Sequence, residues 1–241
     1  MWGENMATAL VVQNAEHAGP GRWGRWLAGS GVGVEVVRGY AGEELPGRLE
    51  HQALVVLGGA MLPDDDERAP WLPGARALMR QALDEGVPVF GICLGGQMLA
   101  QVAGGEVAGG YGEPEFGSTV LTLRAEAAED PLFRGLPERP TAIENHLDAI
   151  VRLPPGAHWL AGSELCPYQA FRVGDAAWGV QFHPETGPER IAQWPEGRAE
   201  RYGVDREELR RAAVRDDAVA APVWREVALR FAACVRGYGA A

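Results

Sequence analysis

The chain has 241 residues, is 46% hydrophobic and carries a formal net charge of −11, a composition that supports one substantial core within a single domain. The acidity and the lack of any basic cluster exclude tracking of a phosphate backbone, so no nucleic acid is expected as a partner. All 22 basic residues are arginine, which excludes a Schiff-base lysine and a P-loop lysine from this chain.

The opening Met1-Trp2-Gly3-Glu4-Asn5 lacks a basic region followed by an apolar one, and no apolar run approaches about 20 residues, so neither a signal peptide nor a membrane span is expected. Residues 7–12 read as an apolar strand, 22–28 as a helix with Trp23, Trp26 and Leu27, 32–37 as a second strand and 54–57 as a third. The third ends abruptly in Gly58-Gly59. Continuous apolar strands alternating with helices predict a mostly parallel sheet covered on both faces. A glycine pair at the carboxyl end of such a strand permits close backbone approach to a ligand, in the crevice where open α/β sheets bind; otherwise it is an ordinary tight turn. The acidic run Asp64-Asp65-Asp66-Glu67 projects its carboxylates in different directions and reads as a solvated loop, not a metal site.

Residues 70–85 form an amphipathic helical pattern through Leu72, Ala75, Leu78, Met79 and Leu83, with Gly86 as its stop. It leads into Val87-Pro88-Val89-Phe90-Gly91-Ile92-Cys93-Leu94-Gly95-Gly96-Gln97, a strand, a sharp turn and a helix with Cys93 at the turn. Gly91 and Gly95 lie two residues either side of Cys93, where side chains would collide at a tight bend. This is the cysteine counterpart of the nucleophile elbow, in which a strained turn lifts the nucleophile clear of the sheet. The positive end of the following helix favours negative charge there. The alternative is a small buried residue between strand and helix. With Cys166 and Cys234, Cys93 makes an odd, widely spaced set of three, which argues against a disulfide framework and fits a reducing, cytoplasmic location.

Beyond Gly104-Gly105 the pattern changes to short strands at 120–123, 141–143, 158–161, 170–173 and 178–182, expected to extend the sheet in mixed or antiparallel fashion. Residues 186–241 read as a helical C-terminal extension of one domain spanning 1–241. The strand at 178–182 ends in His183-Pro184-Glu185. Residues i and i+2 of an extended chain share a side, so Glu185 can orient one ring nitrogen of His183 while the other faces a thiol, the logic of nucleophile, base and orienting acid.

Gly91-Ile92-Cys93-Leu94-Gly95 and His183-Pro184-Glu185 together resemble the G-x-C-x-G and terminal H-P-E motifs of the class I glutamine amidotransferases. The resemblance runs from about Leu54 to Glu185 and is similar to stand-alone members like the amidotransferase domain of GMP synthase. It implies a flavodoxin-like three-layer α/β sandwich and hydrolysis of the glutamine side-chain amide through a glutamyl thioester. Cys93 would be the nucleophile, His183 the general base and acid, and Glu185 its orienting partner. The backbone amides of Gly59 and Leu94 would form the oxyanion hole, and Gly58, Gln97, His146 and Asp148 would meet the substrate. Glu115-Phe116-Gly117 and Tyr168-Gln169-Ala170-Phe171 resemble the family's E-[FY]-G and Q-A-F segments. Where relatives read W-H-G-D this chain has Asn145-His146-Leu147-Asp148, which predicts a reshaped substrate pocket.

No cofactor or metal is implied. The expected substrate is glutamine or a γ-glutamyl amide, with ammonia passing to a separate synthetase chain, since nothing in this sequence activates an acceptor. A self-sufficient hydrolase of γ-glutamyl compounds is the second reading. A non-catalytic regulatory module is the third, against which stands the presence of all three triad residues.

Overall fold

The computed structural model describes residues 6–195, 197 and 199–238; the N-terminal Met1-Trp2-Gly3-Glu4-Asn5 expectation, and the ends of the expected 1–241 domain, lie outside them. In chain order the elements are β1 Thr8–Gln13, α1 Gly21–Ala28, β2 Gly33–Arg38, β3 Ala53–Val56, α2 Leu72–Glu85, β4 Val89–Ile92, α3 Leu94–Val102, β5 Glu106–Ala108, β6 Glu115–Val120, β7 Thr122–Leu123, β8 Thr141–His146, β9 Ala149–Arg152, β10 His158–Gly162, β11 Ala170–Val173, β12 Ala177–Val180 and α4 Arg206–Gly237.

Eight strands form the central sheet in the order β2-β1-β3-β4-β12-β11-β10-β7. The run from β2 to β12 is parallel, and β11, β10 and β7 continue it antiparallel. This is the α/β sheet, mostly parallel with an antiparallel extension, that the alternation of strands and helices predicts.

Alternation along each inner strand divides the core between two faces. Ala9, Val11, Val55, Leu57, Phe90 and Ile92 pack under α1 and α4 with Trp23, Trp224 and Phe231. Leu10, Val12, Leu54, Val56 and Val89 pack under α2 and α3 with Leu78, Met79, Met98 and Leu99. Trp23 stacks on Phe90 with ring centroids 4.1 Å apart, and Phe231 meets Phe90 edge-on at 5.5 Å. The last long helix is thus one of the layers that cover the sheet. Asp205 starts it, its Oδ1 accepting from the Glu208 amide at 2.8 Å, the usual way a side-chain oxygen satisfies an orphan N–H at a helix start.

Two local expectations are corrected. The single strand at 120–123 is two: β6 pairs with β8 in a separate two-stranded sheet, while β7 closes the edge of the main sheet. Between them Leu121 turns fully into the core and its amide bonds Pro140 O. Burying that one leucine outweighs continuing the strand. Among the described residues of 186–205 there are only short 3-10 turns, Pro188–Gln193 and Glu200–Tyr202, before α4 begins. The short β5–β9 pair has too little apolar alternation to be read from sequence.

Candidate functional site

Three strand ends converge beyond the carboxyl edge of the parallel run. β3 delivers Gly58-Gly59, β4 delivers Cys93, and β12 leads through Gln181-Phe182 to His183-Pro184-Glu185. That is the edge where open α/β sheets bind ligands.

Cys93 is the one non-glycine residue with positive φ among the described residues, at φ 52° and ψ −108°. Such a conformation costs on the order of 1–3 kcal/mol and persists only where surrounding structure enforces it. The neighbours that enforce it are visible. The Cys93 amide donates to Val180 O at 2.8 Å, and its carbonyl accepts from Gln97 N at 2.9 Å, opening α3. A Cβ on Gly91 would collide with Gly95 O, on Gly95 with Val56 O, and on Gly96 with Val180 O. The glycines let α3 lie directly against β3 and β12 with its N-terminus at the sulfur.

His183 Nδ1 lies 2.8 Å from Glu185 Oε1. The ring's other nitrogen, Nε2, is buried and makes no hydrogen bond among the described residues. A Cβ added to Gly58 would stand 3.1 Å from His183 Cε1 and 3.5 Å from Cys93 Cβ, so the two side chains flank one glycine that keeps the space between them open. Burial of the ring disfavours its charged form, yet the Glu185 carboxylate and the Cys93 sulfur more than offset this and hold the His183 pKa well above the usual imidazole value.

The H-P-E turn is fixed from behind by α1. Arg22 N donates to Glu185 O at 2.9 Å, Arg22 Nε to Pro184 O at 2.9 Å, and Arg22 Nη1 pairs with Asp217 Oδ1 of α4 at 2.7 Å. Gly21, at φ 50°, brings the start of α1 so near Glu185 O that a Cβ there would collide with it. On the other side His183 N donates to Ile143 O of β8 at 2.8 Å.

A cavity of about 220 Å³ opens onto this group, lined among others by Gly58, Gly59, Cys93, Asn145, His183 and Glu185. Gly59 packs against Leu94: a Cβ on Gly59 would lie 2.7 Å from Leu94 Cδ2. The Leu94 side chain therefore lies directly against the Gly59 backbone.

Gln97, His146 and Asp148 do not line the cavity. Gln97 Nε2 donates to Asp148 O at 3.2 Å and to Gln181 Oε1 at 3.0 Å, one layer behind the sulfur. His146 Nδ1 lies 3.1 Å from Asp148 O and Nε2 lies 3.1 Å from Glu115 Oε2, while Asp148 Oδ1 accepts from Gly110 N at 2.9 Å. The reason is the period of two along β8: Ile143 and Asn145 face the cavity, and Glu144 and His146 face away into the protein. Of the departing segment Asn145-His146-Leu147-Asp148, the residue that meets the cavity is Asn145.

Two further groups belong to the site without a clear mark in the sequence. Gln181 Nε2 lies 3.5 Å from Cys93 Sγ; its place two residues before His183 on an extended chain was the available signal. Arg190, from the turn Pro188–Gln193, also lines the cavity, and no sequence pattern marked it.

A second polar cluster lies behind β8. Glu115, His146 and Cys166 bring three donor atoms of metal-ligating type within 4.8 Å of one another, all buried. Glu115 Oε2 already accepts from Gln169 Nε2 at 2.8 Å. As a nucleophile group the cluster does not fit: burial, with Glu144 and Glu115 adding to it, pushes the Cys166 thiol far above its ordinary pKa.

Residues 25–194 match the family model described as glutamine amidotransferase class-I. Over 116 residues the chain is 36% identical to a glutamine-hydrolyzing GMP synthase of Streptococcus agalactiae, a match covering 47% of this chain and 22% of that protein. Over 104 residues it is 46% identical to the Porphyromonas gingivalis GMP synthase, covering 41% and 19%. The match thus spans only about a fifth of these relatives' length. Along nearly the whole chain it is similar to the crystal structure of a glutamine amidotransferase from Thermotoga maritima, with TM-score 0.83 and 28% identity over 94% of this chain and 98% of that one. A Methylobacillus flagellatus glutamine amidotransferase gives TM-score 0.84 and 29% identity over 95% of each. With an elbow cysteine, a His-Glu pair and a family match over residues 25–194, the chain belongs to the class I glutamine amidotransferases.

Proposed function

We propose that the chain hydrolyses the side-chain amide of glutamine, or of a closely similar γ-glutamyl amide, with Cys93 as nucleophile, His183 as base and acid and Glu185 as the group that orients and charges the imidazole. The observation that carries this reading is the juxtaposition of Cys93 and His183 across Gly58, with Glu185 on the far ring nitrogen. Cys93 Sγ adds to the amide carbon, and the Gly59 and Leu94 N–H groups receive the oxyanion. His183 delivers its proton to the departing nitrogen, so the C–N bond breaks with ammonia as leaving group and a glutamyl thioester remains. His183 then takes a proton from water, whose oxygen attacks the thioester and releases glutamate and the Cys93 sulfur.

Family membership supports a use of the ammonia by a separate synthetase chain. The matched relatives are described as glutamine-hydrolyzing GMP synthases and share only about a fifth of their length with this chain, which supports it too. Self-sufficient hydrolysis of a γ-glutamyl compound uses the same residues. Ammonia release from glutamine and from a panel of γ-glutamyl amides, with Cys93→Ala as control, tests the proposal: release that persists in Cys93→Ala would refute it.

A further inference from the structure

The active-site cavity holds a cation that the hydrolytic chemistry leaves unused. Arg190 stands half-buried on the turn Pro188–Gln193, lining the same cavity as Cys93 and His183. Its guanidinium makes one hydrogen bond, from Nη1 to Gln193 Oε1 at 3.0 Å, and no ion pair among the described residues. Gln193 lines the cavity as well. Arg22 pairs with Asp217, Arg76 with Asp66 and Arg172 with Asp130, whereas Arg190 forms no such pair among the described residues. A partly desolvated cation with no carboxylate in direct contact is costly unless a ligand supplies one.

We propose that Arg190, held by Gln193, is the subsite for a carboxylate of the substrate, and that the carboxylate is the α-carboxylate of a γ-glutamyl amide; this rests on the hydrolytic reading above. The chemistry of such a molecule matches the kinds of surface that line the cavity. Its scissile carbonyl belongs at Cys93, the cavity's Ile143, Trp194 and Pro195 offer apolar surface for its two methylenes, and Arg190 offers the cation for its carboxylate. A planar guanidinium offers several donors in a fixed fork, suited to two-point recognition of a carboxylate. Burial lowers the arginine's affinity for its own proton, with Glu185 opposing this, but leaves it a cation.

The competing assignment is that Arg190 acts only through Glu185, whose Oε2 is buried without a hydrogen-bond partner, and so tunes His183. The experiment therefore compares L-glutamine with 4-aminobutanamide, which is glutamine without its α-carboxylate. Arg190→Gln is expected to lower kcat/KM for glutamine at least tenfold more than for 4-aminobutanamide, chiefly through KM, with Arg190→Lys recovering part of the loss. Equal loss on both amides would assign Arg190 to the Glu185–His183 pair and overturn the proposal. A second readout needs no turnover: glutarate is expected to slow alkylation of Cys93 by iodoacetamide, and Arg190→Gln to remove that protection. Protection lost in the variant while neither amide is hydrolysed would refute the amidase reading and support the carboxylate subsite. Hydrolysis of glutamine without any glutarate protection would support the amidase and overturn the subsite.

Discussion

Gln181 Nε2 stands 3.5 Å from Cys93 Sγ, and the same side chain accepts from Gln97 Nε2 through Oε1 at 3.0 Å. The buried chain Gln97–Gln181–Cys93 presents a donor to the sulfur, with Gln97 anchoring that donor. A hydrogen bond to a charged group contributes about 1.5–3 kcal/mol. Gln181→Met, similar in volume but without a donor, should therefore lower kcat by roughly 10- to 100-fold with a smaller change in KM. Steady-state kinetics on glutamine decide it, and an unchanged kcat would remove Gln181 from the site.

Cys93→Ala should reduce amide hydrolysis by about 10³-fold or more while thermal unfolding shows the fold retained, because the new side chain is smaller and the elbow glycines still accommodate α3. A glutamine-like electrophile should label Cys93 and spare Cys166, whose thiol burial keeps protonated, and Cys234. Mass spectrometry of the labelled protein gives the answer; equal labelling of all three cysteines would contradict the assignment.

His183→Ala should be nearly as damaging as loss of the cysteine, since base and nucleophile act as a unit. Glu185→Gln keeps a group near Nδ1 but removes the charge that holds the ring protonated, so its loss should be smaller, by roughly a hundredfold on the precedent of orienting acids in serine proteases. The pH profile carries an independent sign. Glu185 raises the His183 pKa against the opposing effect of burial, so Glu185→Gln should move the imidazole limb of the kcat/KM profile to lower pH.

Glu144 is fully buried on β8, with neither carboxyl oxygen hydrogen-bonded among the described residues. Burial, then the neighbouring Glu115 carboxylate, raises its pKa well above the usual value. Between its unfolded and folded pKa values the native state holds a proton that the unfolded chain has released, so stability falls as pH rises through that window, by at most about 1.4 kcal/mol per unit for one proton. The raised His183 pKa acts in the same direction: its contribution is complete below the unfolded imidazole value and disappears as pH rises through the folded one. Glu144→Gln should flatten the decline seen in urea unfolding between acid and alkaline pH. A slope identical to that of the unmodified chain would place the titration elsewhere.

Gly95→Ala should destabilise the fold by about 1–3 kcal/mol or more, since its methyl group would enter the space of Val56 O, a backbone atom that cannot move aside without shifting β3. Gly86→Ala is the control, a helix-ending glycine at φ 71° with open space around it, where the cost is backbone strain alone. Thermal melts of the two variants compare a clash with a strained dihedral.

Much of this protein is local and therefore written in the chain. The alternation of β1, β3 and β4, the stripe on α2 with its stop at Gly86, the elbow glycines around Cys93 and the i, i+2 spacing of His183 and Glu185 each depend on neighbours a few residues away, so sequence determines them. Tertiary structure alone decides which face of β8 meets the cavity, a consequence of its pairing with β6 that turns Asn145 toward the cavity and His146 away from it. It alone brings Arg22 from residue 22 to clamp the carbonyls of Pro184 and Glu185, and Arg190 into the cavity of Cys93. Those placements depend on contacts between segments up to 160 or so residues apart, fixed by how α1, α4 and the turn before α4 pack over the sheet, and no short-range pattern encodes them.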